Sequence, residues 1–191
     1  MAQHGLRVHA VDLTPLHIAQ AQRNIAAREL QDRITVELGD YHDLSNLADA
    51  SFDGIYTMET FVHADYPLKV LANFHRLLQP GGVLVMHEAD YLTEAESLQE
   101  VLRLSHCQNT LPQGSYEDLL VQAGFGDVTV QDLHANVLPL WRLFGVWGAV
   151  PYKVVKALRL QHRFVNVMAG VEAYRNWETG RYISVRAVRP V

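Results

Sequence analysis

The chain has 191 residues, of which 49% are hydrophobic and 19% charged; this composition excludes wholesale disorder and suffices for one globular domain with a buried core. The formal net charge of −5, without any run of Lys or Arg, excludes a non-specific nucleic-acid binder. The most apolar stretch, residues 137–150, is interrupted by prolines, glycines and Arg142 and is too short to span a membrane. A lone cysteine, Cys107, excludes an internal disulfide and favours the cytoplasm.

The first half of the chain predicts strands and helices in strict alternation. Alternating or short apolar runs predict four strands, at residues 6–11, 34–38, 52–58 and 83–87. Thr14 and Pro15 are typical of a helix start, and the helix that follows is expected to bury Ile18, Ala21, Ile25 and Ala26. This order of elements predicts an α/β fold with a doubly wound, mostly parallel sheet.

A second helix is predicted between the third and fourth strands. It begins near Pro67, and its buried face is expected to be Val70, Leu71, Phe74, Leu77 and Leu78. Pro80 stops this helix. The strand at residues 83–87 is apolar enough to be buried on both faces.

The second half of the chain is less regular. Helices are predicted at residues 93–107 and 115–121, and strands at residues 127–133 and 182–188. Between these two strands, residues 139–179 are rich in aromatic side chains and predict two or three helices. We interpret this segment as a lid over an apolar ligand. The alternatives are ordinary core packing and a dimer surface. Because of the second alternative, a homodimer is possible. Its basic residues predict a solvated helix face, formed by Lys153, Lys156, Arg159 and Arg163.

Short motifs at strand ends and turns follow one another in a characteristic order. Val8-His9-Ala10-Val11-Asp12-Leu13-Thr14 is a strand that ends in a carboxylate, and Gly39-Asp40-Tyr41 follows the next strand. The further motifs are Ser51-Phe52-Asp53-Gly54-Ile55-Tyr56, Glu59-Thr60-Phe61-Val62-His63, Leu77-Leu78-Gln79-Pro80-Gly81-Gly82 and Gly124-Phe125. Together they resemble the class I S-adenosylmethionine-dependent methyltransferases, most closely the small-molecule branch that includes sterol and ubiquinone/menaquinone C-methyltransferases.

The resemblance covers residues 1–133 and the final strand. It implies a single Rossmann-like domain over residues 1–191, with an antiparallel last strand and a helical insert at residues 139–179 before it. The family's first, central strand and its Gly-x-Gly-x-Gly loop have no counterpart in this sequence. Without that strand, the strands near Val8 and Ile55 would each have an unpaired edge. Each buried N–H or C=O group without a hydrogen bond would cost about 1–3 kcal/mol of stability. We therefore expect a truncated product or part of a longer protein, unless these strands re-pair or borrow a strand.

Polar side chains follow four predicted strands in succession, and ligands of open parallel sheets bind at this edge. The resemblance implies S-adenosylmethionine as the cofactor, with the Asp12 carboxylate on the ribose hydroxyls and Leu13 against the adenine or ribose. Asp40 with Tyr41 would meet the adenine amino group, and Met58 would flank the methionine part. Each of these residues has an alternative role. Asp12 would instead be an acid that interacts favourably with the dipole of the following helix, Asp40 would stabilise its own turn, and Leu13 would pack in the core.

Four residues are candidates for catalysis. His63 is the predicted general base, because an imidazole accepts a proton near neutral pH. Glu59, which the resemblance also places beside the methionine part with Met58, is a further candidate. His87 and Glu88 are weaker ones. A solvated carboxylate is the alternative for Glu59, and a structural role is the alternative for the histidines. The run His87-Glu88-Ala89-Asp90 lacks the second histidine of a zinc-binding His-Glu-x-x-His motif, so no metal site is predicted.

The leading functional hypothesis is methyl transfer from S-adenosylmethionine to a small, fairly apolar acceptor, at carbon or oxygen. The alternative is a methyltransferase-like scaffold that catalyses a cyclisation or isomerisation, or only binds. A nucleotide-binding oxidoreductase is a third hypothesis, which the Pro80-Gly81-Gly82 and Gly124-Phe125 motifs disfavour. Because the glycine-rich loop is missing, the sequence leaves open whether this chain alone is an active enzyme.

Overall fold

A computed structural model describes residues 1–91, 107, 111–175, 178 and 180–191. The helix predicted at residues 93–107 lies outside this range, apart from Cys107, and so does Trp177 of the predicted lid. The chain divides into two compact units, Met1–Ala48 and Asp49–Val191. Each unit combines strands with helices, and the predicted α/β, Rossmann-like fold is confirmed. The single domain over residues 1–191 stays a prediction.

The first unit is a parallel strand pair with one connecting helix. Strand β1 (Val8–Asp12) and strand β2 (Ile34–Leu38) pair in register from one end to the other. Helix α1 (Pro15–Ala27) joins them and begins at the predicted proline. Thr14 occupies the N-cap position, but its side chain makes no capping hydrogen bond.

The predicted core face of α1 is only partly buried. Ile18, Ala21 and Ile25 have intermediate exposure, and Ala26 is exposed. The prediction that these four residues are buried is therefore wrong. A two-stranded sheet offers a single helix too little apolar surface to cover it completely.

The second unit contains a four-stranded sheet. Its strand order is β3 (Phe52–Met58), β4 (Leu78–Tyr91), β6 (Gly180–Val188) and β5 (Gly126–Asp132). β3 and β4 are parallel, whereas β6 runs antiparallel to both of its neighbours, which confirms the predicted antiparallel last strand. Among the described residues, β1 has β2 as its one strand neighbour and β3, at the edge of its sheet, has β4.

The core of the second unit lies on one face of its sheet. Helix α2 (Pro67–Leu77) presents the predicted apolar face, and its members are at most 5% exposed: Val70, Leu71, Phe74, Leu77 and the adjoining Leu78. Every second residue of β4 is fully buried on the core face, beginning with Leu84 and Met86. The opposite face of β4, with Val83, Val85 and His87, has only intermediate burial. The expectation of burial on both faces is thus wrong for this strand.

The described residues of the second unit form three further α-helices. Helix α3 (Ser115–Gln122) precedes β5, and helices α4 (His134–Ala157) and α5 (Val165–Arg175) lie between β5 and β6. α4 and α5 pack through a small cluster of Tyr152, Val155, Met168 and Val171. Within the described ranges, no helix is long and apolar enough to cross a membrane.

Candidate functional site

Asp12 and Asp40 follow neighbouring parallel strands of the first unit, as predicted. The backbone N–H of Gly39 donates to the carbonyl oxygen of Asp12 at 3.1 Å and so joins the two strand ends. The Asp12 carboxylate accepts the backbone N–H of Thr14 at 2.7 Å, and its Oδ2 lies 3.1 Å from Nδ1 of His17. The carboxylate is therefore held in place at the start of α1, with its side chain still 42% exposed.

Asp40 closes its own turn. Its Oδ1 accepts the backbone N–H of His42 at 2.8 Å and lies 2.7 Å from the Nδ1 atom of the same residue. The ring of Tyr41 is tilted against that of His42, with the ring centroids 4.8 Å apart. Asp40 thus has the turn-stabilising role that was the alternative to ligand binding. The two roles are compatible, because a carboxylate offers about four hydrogen-bond acceptor positions.

These strand ends fit the nucleoside half of the implied cofactor. Leu13, beside Asp12, is 69% exposed and therefore does not pack in the core, which was its alternative role. Leu38 is exposed at the end of β2. Carboxylate acceptors suit ribose hydroxyls and an amino group, and exposed leucines supply an apolar surface for a planar base.

The chain leaves β3 through a strained residue. Glu59 directly follows Met58 and has a backbone φ of +49°, a left-handed conformation that costs roughly 1–3 kcal/mol outside glycine. Its backbone N–H donates to the carbonyl oxygen of His87 on β4 at 2.8 Å. Strain of this kind is concentrated at functional sites, because the surrounding structure has to enforce it.

Two tyrosines lie among the predicted catalytic residues. The hydroxyl of Tyr56 on β3 is 3.0 Å from Nδ1 of His87, and Tyr182 on β6 hydrogen-bonds the Glu59 side chain. Burial raises the pKa of Tyr56. Burial, with the nearby charges of Glu59 and Glu88, raises the pKa of Tyr182 to about 12. Both phenols therefore remain neutral near pH 7, and Tyr182 donates its one O–H to the Glu59 carboxylate.

The core face of β4 carries a buried acid. Oε1 of Glu88 accepts the backbone N–H groups of Thr60 and Phe61 at 3.2 and 3.0 Å. Oε2 is buried without a hydrogen-bond partner among the described residues. Burial raises the pKa of Glu88 to about 7, although the backbone hydrogen bonds oppose the shift. Near neutral pH this fully buried carboxyl therefore exists in both its protonated and its ionised form.

Asp90, the next acid on the same face, has a structural role. Its two carboxylate oxygens accept hydrogen bonds from the Nε and Nη2 atoms of Arg181, which lies directly opposite on β6. Asp90 is 1% exposed, so the pair is a buried, bidentate ion pair. It joins the ends of β4 and β6 beside Glu88.

The remaining predicted residues are at the surface of the second unit. His63 ends a short 3-10 turn, Phe61–His63, and is exposed. Met58 is 51% exposed at the end of β3. The structure thus brings Glu59 and His87 together across β3 and β4, and places His63 on the turn that follows Glu59.

Sequence reasoning missed Tyr56 and Tyr182. Tyr56 stands two residues before Met58 and so on the same face of β3, which is a signal that strand alternation provides. Tyr182 carries no such signal, because its position opposite Ala89 depends on the antiparallel return of β6.

Comparison with known proteins identifies the family. A family model described as a methyltransferase domain matches residues 1–86. The S-adenosyl-L-methionine-dependent Diels-Alderase iccD of Talaromyces variabilis is 34% identical over 203 residues, which covers 100% of this chain and 70% of that protein. The O-methyltransferase resE of Aspergillus sclerotiorum is 27% identical over 140 residues, covering 72% of this chain and 53% of that protein. The chain therefore spans little more than half the length of resE.

Solved structures show the same fold. The crystal structure of the 4+2 cyclase SpnF superposes with a TM-score of 0.76 at 18% identity, covering 97% of this chain and 67% of that one. The resemblance stated from the sequence motifs is confirmed by the family model and by the whole-chain similarity to iccD. This chain belongs to the class I S-adenosylmethionine-dependent methyltransferase family.

Proposed function

We propose that the protein catalyses a Diels–Alder cyclisation of a small, fairly apolar substrate, the alternative that the sequence left open. One observation carries the proposal: the similarity to a Diels-Alderase extends over the whole chain, whereas the similarity to resE covers 72% of it. The whole-chain match extends over β6, the strand that places Tyr182 at the candidate site.

The chemistry of the site suits such a reaction. Two carbon–carbon bonds form, two of three π bonds are consumed and the third moves, so no oxidant, base or leaving group is needed. The reaction accelerates when the ends of the diene and the alkene are held together and when a carbonyl conjugated to the alkene accepts a hydrogen bond. Tyr56 and Tyr182, kept neutral by their raised pKa values, would be the donors when the substrate carbonyl replaces His87 or Glu59 as the partner of the hydroxyl.

The cofactor would be held by the residues inferred from the sequence. Asp12, Leu13, Asp40 and Tyr41 would hold the nucleoside of S-adenosylmethionine, and Met58 would flank its methionine part. When bound, it supplies a positive charge and an electrophilic methyl group. The chain's own contribution is to place carboxylate acceptors at neighbouring strand ends.

A second candidate is methylation of an oxygen or carbon acceptor. The similarity to the O-methyltransferase resE supports it. An acceptor that must lose a proton needs a base, and His63, Glu59 or His87 would take that proton. Glu88, whose pKa is raised to about 7, would be a further base.

One assay separates the two candidates. The full chain is incubated with linear polyenes that carry an unsaturated carbonyl and with methyl-labelled S-adenosylmethionine. Cyclisation gives an isomer of unchanged mass, loss of the polyene absorbance and no S-adenosylhomocysteine. Methylation adds one labelled methyl group and releases one S-adenosylhomocysteine for each product molecule, and this outcome would overturn the first candidate.

The same assay tests the role of Tyr182. Tyr182→Phe removes a hydrogen-bond donor, so we expect kcat for cyclisation to fall roughly a hundredfold with little change in KM. The matched control is Tyr66→Phe, at a tyrosine that is 69% exposed, which should keep wild-type kcat. An unchanged kcat in Tyr182→Phe would show that this hydroxyl does not act on the reacting carbonyl.

We further infer that the ligand partner is a small molecule, that nucleic acid is not a partner, and that the protein acts in the cytoplasm. The formal net charge of −5 and the single cysteine support these inferences.

A further inference from the structure

Helix α4 presents a continuous apolar stripe to solvent. Its members recur at alternating spacings of three and four residues and are 52–76% exposed: Leu140, Leu143, Trp147, Val150 and Val154. This spacing places them in one line along the helix. Exposure of so many large apolar side chains on one face marks an interaction surface.

The opposite face of α4 holds the helix to the protein. Tyr152 and Val155 are buried against Met168 and Val171 of α5. Gly145 is close to the ring of Tyr174, so the two helix backbones approach closely there. The stripe is therefore the outward face of a helix that is already anchored, rather than the core side of a helix without a partner.

The charge around the stripe is opposite to that of the rest of the chain. Residues 134–175 contain six basic residues and one acid, Glu172, which is buried. Their formal charge is +5, and since the whole chain carries −5, the remaining residues carry −10. Arg142 and Lys153 lie along one edge of the stripe, about a quarter to a third of a turn around the helix from its centre. Lys156 lies further from the stripe, toward the opposite side of the helix.

We propose that this stripe binds the surface of an anionic phospholipid membrane. The helix would lie in the plane of the membrane, with Trp147 and its aliphatic neighbours at the acyl-chain boundary and the basic edge among the headgroups. Amphipathic helices with aromatic and aliphatic residues on one face and Lys or Arg beside them bind membranes in this manner. Cationic residues near an anionic bilayer strengthen that binding.

A second copy of the chain fits the stripe less well. Helix α4 carries no Asp or Glu, so in a symmetric pair the basic edges of both copies would meet without an opposite charge. The headgroups of an anionic membrane would pair with Arg142 and Lys153 at the edge of the stripe. It would also hold apolar small molecules beside the protein.

Sedimentation with lipid vesicles tests the proposal on the full chain. We expect binding to vesicles of equal parts phosphatidylcholine and phosphatidylglycerol, and much weaker binding to phosphatidylcholine alone. Added salt should weaken the binding, because the headgroup attraction is screened. Transfer of Trp147 from water should shift tryptophan emission to the blue, and Trp147→Phe should remove this shift while the protein still binds.

Paired variants separate the apolar and the basic contributions. Arg142→Gln with Lys153→Gln should lower the partition coefficient about 25-fold, at roughly fivefold for each charge removed. Trp147→Ser with Val150→Ser should lower it at least as much. The matched controls are Arg23→Gln with Arg28→Gln on α1 and Val121→Ser on α3, all at exposed positions, which should bind as the wild type.

Two results would overturn the proposal. One is a wild-type chain that stays in solution with the anionic vesicles at low salt. The other is a dimer, seen by light scattering, that Trp147→Ser with Val150→Ser converts to monomer, because the stripe would then be covered by a second copy.

Discussion

At the scale of single residues, Glu88 couples the candidate site to pH. Burial raises its pKa to about 7, from the ordinary value of 4.5 for a free glutamate. Between these values the folded chain binds more protons than the unfolded chain, so the free energy of unfolding falls as pH rises from about 4.5 to about 7. The total loss is about 3 kcal/mol, at about 1.36 kcal/mol for each pKa unit.

Glu88→Gln is expected to remove this pH dependence, since the amide stays neutral while its oxygen still accepts the N–H groups of Thr60 and Phe61. Urea unfolding at about pH 5 and about pH 8 measures the difference. Asp118→Asn, at an exposed acid of α3, is the control and should keep the wild-type dependence. The prediction fails if Glu88→Gln loses as much stability as the wild type between these two pH values.

At the scale of elements, an ion pair with a buried carboxylate connects β4 and β6. Asp90 and Arg181 form a buried bidentate pair on directly opposite residues of these strands. Asp90→Asn leaves a poorly compensated guanidinium in a partly buried position, so we expect a loss of about 3–5 kcal/mol in the free energy of unfolding. Chemical denaturation of the full chain measures it.

An exposed pair of the same chemistry is the control for this prediction. Asp49 accepts a hydrogen bond from Arg76, and the Asp49 side chain is 74% exposed. Asp49→Asn should therefore change the free energy of unfolding by about 1 kcal/mol or less. Equal losses in the two variants would mean that burial does not decide the value of the β4–β6 pair.

At the scale of the whole molecule, the two units differ in how completely they bury their elements. No residue of α1 is buried, and its sheet has two strands. In the second unit, β4 and β6 share a fully buried face that includes Leu84, Met86, Ile183 and Val185. We expect amide hydrogens of α1 and β2 to exchange with solvent before those of β4 and β6, as hydrogen-exchange mass spectrometry would measure.

Cofactor binding should change this pattern. If Asp12 and Asp40 hold the nucleoside of S-adenosylmethionine, this ligand should slow amide hydrogen exchange in the first unit, because a ligand that binds the folded state stabilises it. Asp12→Ala should abolish the slowing, whereas Asp32→Ala, an exposed acid outside the strand ends, should retain it. Equal protection of both units without ligand would contradict the first expectation, and full slowing in Asp12→Ala would contradict the second.

Local patterns alone determined much of this protein. The bounds of β2 and β3 and the buried face of α2 followed from periodicity, because a strand or helix exposes its sides at fixed spacing. The adjacency of Asp12 and Asp40 followed as well, since neighbouring parallel strands bring their carboxyl ends together. The family followed from the order of the turn motifs.

Only the tertiary structure decided which groups meet at the candidate site. The burial of Glu88, the Tyr56–His87 contact and the Tyr182–Glu59 hydrogen bond depend on the pairing of β3 with β4 and on the antiparallel return of β6. The incomplete burial of α1 and the exposed stripe of α4 depend on which surfaces pack against them. A one-dimensional pattern specifies which side of an element is apolar; the partner that covers that side is chosen by contacts between residues far apart in the chain.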